Sequence, residues 1–470
     1  MEFVDRRAEM ERLESLAAAG EGGLAVVYGR RRIGKTRLLL EWTRRTNGLY
    51  TVADQSAAEV QRRYFAQSCA TRIPGFDEAE YRDWRALLAR LARDAAAIGW
   101  RGPVVFDELP YLVLAAPELP SVLQQWLDHD ARAARLLVAV AGSSQRMMQG
   151  FVLSSTAPLY GRAREALDLG PIGPEHLAKA LGVTTAVAAV EAWTAWGGVP
   201  RYWELALSAR GPTPARVERL VLDPLGPLHR EPDLLLLEEV PPATEVRPLL
   251  DAIGAGAHRV SEIGARVGRP ATSLSRPLER LVAMGLVRRE TPFGEPERGT
   301  RRSLYQISDP FFRLWFRVVA PHRALLSTAS AAVRAELLGR YWPALCATAW
   351  EDLCRARLGD ARAASVLARL GPWGAARRWW HGQQVEWDLV AESVDGRRLL
   401  LGEVRWSQRP VTRAALERTM AEVAAKPAPP LGAKFASHEI VRAIFMPETG
   451  DHRRATQDGP IMVTGHDLLD

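Results

Sequence analysis

The chain has 470 residues, 62 Lys and Arg against 55 Asp and Glu, a net charge of +7 and a pI near 9.6. Apolar residues make up 47% and charged residues 25%, the balance of a folded globular protein, and the length calls for several hydrophobic cores, with three domains expected. No apolar run approaches the ~20 residues that cross a bilayer, which excludes a membrane partner, and a surplus of seven charges over this length permits nucleic-acid contact without requiring it.

From the start, MEFVDRRAEMERLESL reads as a strand followed by an amphipathic helix and lacks the basic and apolar regions of a signal peptide, so a cytoplasmic protein is expected. Short apolar or β-branched runs follow at residues 24–28, 49–53, 104–106, 136–141 and 166–169, separated by stretches of helical period such as 86–97 and 122–127. That alternation predicts an α/β fold with a largely parallel sheet covered by helices. From about residue 174 to 209 the pattern is helical throughout, which predicts a lid closing a first domain at 1–210. A proline-rich connection then leads into a second domain at 211–325, and alanine-rich helices followed by a tryptophan-rich α/β stretch mark a third at 326–470.

The strand at 24–28 is followed at once by GRRRIGKT, comprising Gly29, Arg30, Arg31, Arg32, Ile33, Gly34, Lys35 and Thr36. Between a strand and a helix this spacing predicts a phosphate-binding loop for Mg·ATP. The glycines let the backbone wrap phosphate oxygens, Lys35 reaches the β and γ phosphates and the Thr36 hydroxyl ligates Mg²⁺. Only four lysines, Lys35, Lys179, Lys426 and Lys434, stand among the 62 basic residues, and the first of them occupies the position that needs a compact ammonium. About seventy residues on, PVVFDEL ends a strand in Asp107 and Glu108. Ligands collect at the carboxyl ends of parallel strands, so Asp107 is suited to the Mg²⁺ water shell and Glu108 to polarising the attacking water. Ser143 and Ser144, after the fourth strand, are sensors of the γ-phosphate or else helix caps. Arg162, before the fifth, is a source of transition-state charge in cis or to a neighbouring subunit, or else a surface arginine.

FVDRRAEMERL, GRRRIGKT, VVFDEL, AGSSQRMM, PLYGR and GGVPRYW occur in this order over about residues 1–210. Together they resemble the archaeal-type ATPases, a group within the AAA+-related STAND NTPases. The resemblance implies an ASCE-type P-loop sheet with Glu108 as catalytic base, an adenine-side contact near Arg6, a lid bearing the 198–200 turn, and a protein that acts as a switch.

Residues 245–308 predict a winged helix: a helix opened by Ser261 as N-cap, a turn at Gly268, a second helix with Leu274, Leu278, Leu281, Val282 and Leu286 at helical spacing, and a hairpin. Thr272, Ser273, Ser275, Arg276 and Arg280 on the second helix and Arg298, Arg301 and Arg302 on the wing form a set suited to DNA. Glu290, Glu295 and Glu297 share that wing, and docking to protein stays open beside contact with DNA.

Toward the carboxyl end, Glu351 on a helix, Asp388 in VEWDLVA and Glu403 with Arg405 in LLLGEVRWS fit a restriction-endonuclease-like core, in which acids on adjacent strands bind divalent metal and a lysine two residues after the Glu serves the hydrolytic water. The region is similar to the domain of unknown function that commonly follows archaeal-type ATPases. Arg405 stands where that pattern has lysine, and a permanent cation is a poor base. The site is thus either an active nuclease adapted to arginine or a retired one kept for binding, and plain structural salt bridges are the third alternative. KPAPP at 426–430 reads as a loop. The whole predicts an ATP- and Mg²⁺-dependent switch controlling a module that acts on nucleic acid. A nucleotide-sensing DNA-binding regulator or a protein scaffold are the alternatives, and homo-oligomers are left open.

Overall fold

The computed structural model describes residues 4–143, 145–239, 243–296, 300, 302–359, 367, 370–449 and 459–469. Ser144, Arg298 and Arg301, all expected at sites, lie outside the described residues. The chain divides into two compact units, Met1–Ile172 with Val199–Arg201, and Gly173–Gly198 with Tyr202–Asp470.

The first unit is built on five parallel strands, β1 (Gly23–Tyr28), β2 (Leu49–Val52), β3 (Val104–Asp107), β4 (Leu137–Gly142) and β5 (Ala163–Asp168), in the order β2-β3-β4-β1-β5. Each matches one of the five apolar runs. In the central β3 and β4 every residue is buried, as it is in β1 apart from its two ends, because helices cover both faces; the edge strands β2 and β5 alternate with solvent. The packed helices include Lys35–Arg45, Ala58–Ala70 and Trp84–Ala97, the last opened by Asp83, whose carboxylate accepts the Ala86 amide at 2.7 Å. Phe65 stacks on Phe106 of β3 at 4.9 Å and meets Trp84 edge-on at 5.6 Å, locking two of these helices onto the sheet. The opening helix is present at Arg7–Ala18, whereas residues 4–6 are irregular rather than a strand.

The helices Ala186–Trp196 and Pro200–Ser208 confirm the helical reading of 174–209, and residues 173–198 are grouped with the second unit. That unit continues through the helices Ala243–Gly254, Val260–Val267 and Ser275–Ala283 to an antiparallel hairpin, β6 (Val287–Glu290) with β7 (Leu304–Ile307). Ser261 lies inside its helix and is not the cap. Arg259 takes that position, and Glu262 accepts the amides of His258 and Arg259 at 2.9 and 3.0 Å, a stronger acceptor than a serine hydroxyl. Leu274, Leu278, Leu281 and Leu286 are buried, but Val282 is 37% exposed.

The Ala331–Leu358 helix, 28 residues long, precedes a five-stranded mixed sheet, β8 (Arg377–Trp379), β9 (Trp387–Glu392), β10 (Arg398–Val404), β11 (Glu439–Met446) and β12 (Ile461–Thr464), ordered β12-β11-β10-β9-β8. Strands β8 to β10 form an antiparallel meander; β11 and β12 run parallel to β10, reached over the Arg413–Ala425 helix. Cys69, Cys346 and Cys354 are buried and free. No helix among the described residues is long and apolar enough to cross a membrane.

Candidate functional site

In the first unit, the loop after β1 is shaped by two glycines that no other residue could replace without strain. Gly29 has φ 142°, and a Cβ there would fall 2.5 Å from the Leu169 carbonyl oxygen; Gly34 has φ 101° at the helix entrance. Arg32 also adopts a left-handed φ of 66°. Left-handed residues interleaved in a loop that leads into a helix, here Lys35–Arg45, are a feature of anion-binding nests. Lys35 is buried and its Nζ donates to the carbonyls of Gly29 at 2.8 Å and Arg30 at 3.0 Å, so the ammonium is held across the concave side of the loop. Arg31 donates to the Tyr111 hydroxyl at 3.0 Å.

Asp107 closes β3 with no exposed surface. Its Oδ2 accepts the Thr36 hydroxyl and the Tyr50 hydroxyl, each at 2.7 Å, while Oδ1 accepts the Glu108 amide at 2.9 Å. A dry carboxylate that anchors three donors is fixed in place before any cation arrives. Tyr50, at β2, carried no mark in the sequence; burial and then the Asp107 charge push its hydroxyl well above the usual tyrosine range, so it remains a donor. Glu108 sits at φ 54°, in the left-handed region, directly after β3. There its Oε1 accepts the Ser143 hydroxyl at 2.6 Å. With β4 lying between β1 and β3, the loop, the two acids and Ser143 all meet at the carboxyl ends of three adjacent strands.

Arg6 is buried beneath this loop. It donates to the Ile33 carbonyl at 3.0 Å and the Gly170 carbonyl at 2.6 Å, clamping the loop to the exit of β5, while its Nε is buried without a hydrogen-bond partner. Arg162 stands elsewhere. It precedes β5, whose Ala163 pairs with Leu24 at the beginning of β1, so the whole strand, about 20 Å, separates it from the loop. Its guanidinium binds Asp128 through two contacts of 2.8 and 2.9 Å. The fold therefore does not bring it to the loop of its own subunit.

Mg·ATP fits the residues present. The Lys35 ammonium at the loop suits phosphate oxygens, and Thr36 with Asp107 offers two hard oxygen ligands, the small protein share that Mg²⁺ takes when phosphates and water complete its shell.

In the second unit, Thr272, Ser273, Ser275 and Arg276 are exposed and Arg280 half-buried, with Ser273 Oγ closing the turn onto the Pro270 carbonyl at 2.8 Å. Arg302 pairs with Glu295 at 2.6 Å, so part of the basic charge of the wing is neutralised within it.

Around the ends of β9 and β10, Glu403 and Asp388 flank each other one step beyond the Gly402–Leu389 pair. Asp388 Oδ2 accepts the Val404 amide at 2.9 Å. Burial and then the Asp388 charge raise the Glu351 carboxyl above its usual range, and Arg355 bonds both the Asp388 carbonyl, at 2.9 Å, and Glu351, at 3.4 Å. Glu403 is buried between two cations, Arg405 at 3.0 Å on Oε1 and Lys426 at 2.5 Å on Oε2. Lys426 also lies 4.5 Å over the Trp387 ring. Sequence reasoning passed over this lysine as part of a loop, although its persistence in a chain with four lysines was the available signal. Among the described residues no group of three or more His, Cys, Asp or Glu is close enough to hold a metal ion.

Residues 3–205 match the family described as an ATPase domain predominantly from Archaea, and residues 315–419 match archaeal and bacterial proteins of unknown function. An uncharacterized protein of Methanocaldococcus jannaschii is 26% identical over 409 residues, which is 86% of this chain and 87% of that one. The solved Walker-type ATPase of Pyrococcus abyssi superposes with a TM-score of 0.52 at 19% identity, over 67% of this chain and 96% of its own, a likeness of fold. The ORC2 protein of Aeropyrum pernix, solved as ADPNP–ADP complexes, gives a TM-score of 0.42 at 14% identity over 73% of this chain and 96% of its own. Residues 3–205 are thus an archaeal-type ATPase domain, a nucleotide-binding P-loop module, and the chain also carries, at 315–419, the domain of unknown function that follows such ATPases.

Proposed function

We propose that the chain is a Mg²⁺-dependent, ATP-hydrolysing switch whose nucleotide state controls a winged-helix and nuclease-like module acting on nucleic acid. The observation that carries the ATPase part is the continuous set of hydrogen bonds from Thr36 through Asp107 to Glu108 and Ser143. Bound Mg·ATP supplies the phosphoanhydride and the charge of the metal; the chain supplies the positions. Lys35 neutralises phosphate charge, Thr36 and Asp107 hold the cation, and Glu108, one residue beyond, orients and polarises water, with Ser143 deciding where that carboxylate points. Arg6 keeps the loop in shape, and its unpartnered Nε supports the adenine-side contact. The test is ATP turnover and nucleotide binding in the wild type, Lys35→Ala and Glu108→Gln. Normal turnover in either variant would sink the assignment.

For the second unit we infer two domains. Two helices joined by a short turn and followed by a hairpin support the winged helix. A helix, an antiparallel meander, a crossover helix and a parallel strand support the restriction-endonuclease-like core, with Glu351, Asp388 and Glu403 at its site. Lys426 favours a competent site, since it places at Glu403 the ammonium that Arg405 replaces in the strand. A second reading, a DNA-binding regulator without cleavage, is favoured by the lack of a three-ligand metal group among the described residues. Incubation with plasmid and single-stranded DNA plus Mg²⁺ or Mn²⁺, with and without ATP, decides between them: cleavage lost in Asp388→Ala supports the nuclease, and binding without cleavage supports the regulator.

A further inference from the structure

Within the second unit, a cavity of about 750 Å³ opens between the hairpin β6–β7, the end of the Ser275–Ala283 helix, the Ala331–Leu358 helix and β8. Among the described residues, Arg288, Arg289, Arg355, Arg377 and Arg378 line it together with the carboxylates of Glu290 and Asp352. These two acids bind two of the arginines. Arg288 binds Asp352 at 2.5 Å and Glu290 at 2.7 Å, and Arg355 binds Asp352 at 2.7 Å. These two form the floor. The other three stand on the walls: Arg289 is exposed on β6, its Nη2 donating to the Thr300 carbonyl at 3.3 Å, while Arg378 on β8 pairs with Glu386 at 3.5 Å, beside Arg377, which donates to the Thr291 hydroxyl at 3.2 Å.

We infer that this cleft binds the phosphodiester backbone of a nucleic-acid strand. The inference rests on the proposed action on nucleic acid and moves the main contact from the exposed face of the Ser275–Ala283 helix to the cavity behind the hairpin. Three features select a strand over a lone phosphate. The wall arginines come from two separate strands, β6 and β8, where a single phosphate calls for converging donors. The volume suits a stretch of backbone rather than one inorganic anion. Finally, Arg355 on the floor bonds both Glu351 and the Asp388 carbonyl, so a strand laid through the cleft passes beside the carboxylates assigned to hydrolysis. Arginine–phosphate contacts of this kind position a strand without reading its bases.

The test is fluorescence anisotropy of a short labelled duplex and a short labelled single strand with the full-length protein, titrated between about 50 and 200 mM salt. Wild type, Arg377→Ala/Arg378→Ala, Arg289→Ala and Thr272→Ala/Arg276→Ala are compared, with thermal unfolding and ATP turnover as checks on folding. Arg289→Ala alters an exposed side chain and keeps the test valid if the β8 double variant fails to fold. The expected result is at least about tenfold weaker binding for the β8 variant, a fall in its salt slope of about 2, a fall of about 1 for Arg289→Ala, and a smaller effect from the helix variant. Unchanged affinity and slope in both cleft variants, with wild-type binding intact, overturns the cleft and leaves the nucleic-acid reading standing. Failure of the wild type to retain either probe at low salt overturns both.

Discussion

The Thr36 hydroxyl and the Asp107 carboxylate lie 2.7 Å apart, joining the loop after β1 to the end of β3 across the intervening β4. Nothing in the spacing of 71 residues requires this contact; strand order creates it. The same carboxylate receives Tyr50 and the Glu108 amide, so the cation position, the loop and the water-orienting acid form one rigid group.

Lys35→Ala removes the ammonium that spans the loop. A lost charge-assisted contact of about 1.5–3 kcal/mol weakens nucleotide binding by about 10- to 100-fold. Glu108→Gln is expected to keep nucleotide affinity within a few-fold while turnover falls by about 10²-fold or more. Equilibrium binding of a fluorescent ATP analogue, measured beside phosphate release, separates the two effects.

Tyr50→Phe keeps the ring and deletes one donor to Asp107. Half-saturation by Mg²⁺ in the turnover assay should shift several-fold upward with ATP affinity at saturating Mg²⁺ little changed, because the lost bond, about 1.5–3 kcal/mol to a charged acceptor, anchors the metal-side carboxylate. An unaltered Mg²⁺ dependence would show that Thr36 and the Glu108 amide suffice.

Arg162→Ala breaks an exposed ion pair with Asp128 far from the loop, at a stability cost of about 0–1 kcal/mol. ATP turnover in dilute solution should stay within about twofold of wild type. If turnover falls only as protein concentration rises, Arg162 serves a neighbouring subunit, and assays across a concentration series make that distinction.

Asp352 is half-buried with Arg288, Arg313 and Arg355, at 2.5, 2.6 and 2.7 Å. Burial pushes its carboxyl upward, but the three guanidinium groups outweigh it and hold the group well below the usual range. A depressed carboxyl stabilises the folded state fully above its unfolded value, about pH 4, and loses that contribution as pH falls below it. Asp352→Asn should cost about 3 kcal/mol at neutral pH by leaving three half-buried cations uncompensated, and the deficit should shrink toward about pH 3. Thermal unfolding across that range checks both the size and the sign.

Lys426→Met tests the ammonium at Glu403 with little change in packing against Trp387. If the site hydrolyses phosphodiesters, Mn²⁺-dependent cleavage should fall by about 10²-fold while Mn²⁺ binding, followed by calorimetry, persists. Arg405→Lys in the same assay should leave cleavage within a few-fold, because Lys426 already occupies that role.

Local pattern alone determined the five strands of the first sheet, the phosphate loop and the pair of acids at Asp107 and Glu108. Each is a run of side chains whose burial period or spacing along one segment carries its own meaning. The alanine-rich helical stretch after about residue 325 and the hairpin closing 245–308 were legible for the same reason. Tertiary structure alone decided that Tyr50 reaches Asp107, that Arg162 lies at the opposite end of the sheet from the loop, that Arg259 rather than Ser261 takes the N-cap with Glu262 bonding the amides there, and that Lys426 meets Glu403. Most of these join residues far apart in the chain through strand order and register, and the cap turns on which of two nearby side chains reaches the amides. Patterning sets which face of a strand is buried, whereas its neighbours, and the side chains they bring to its end, follow from how the layers pack.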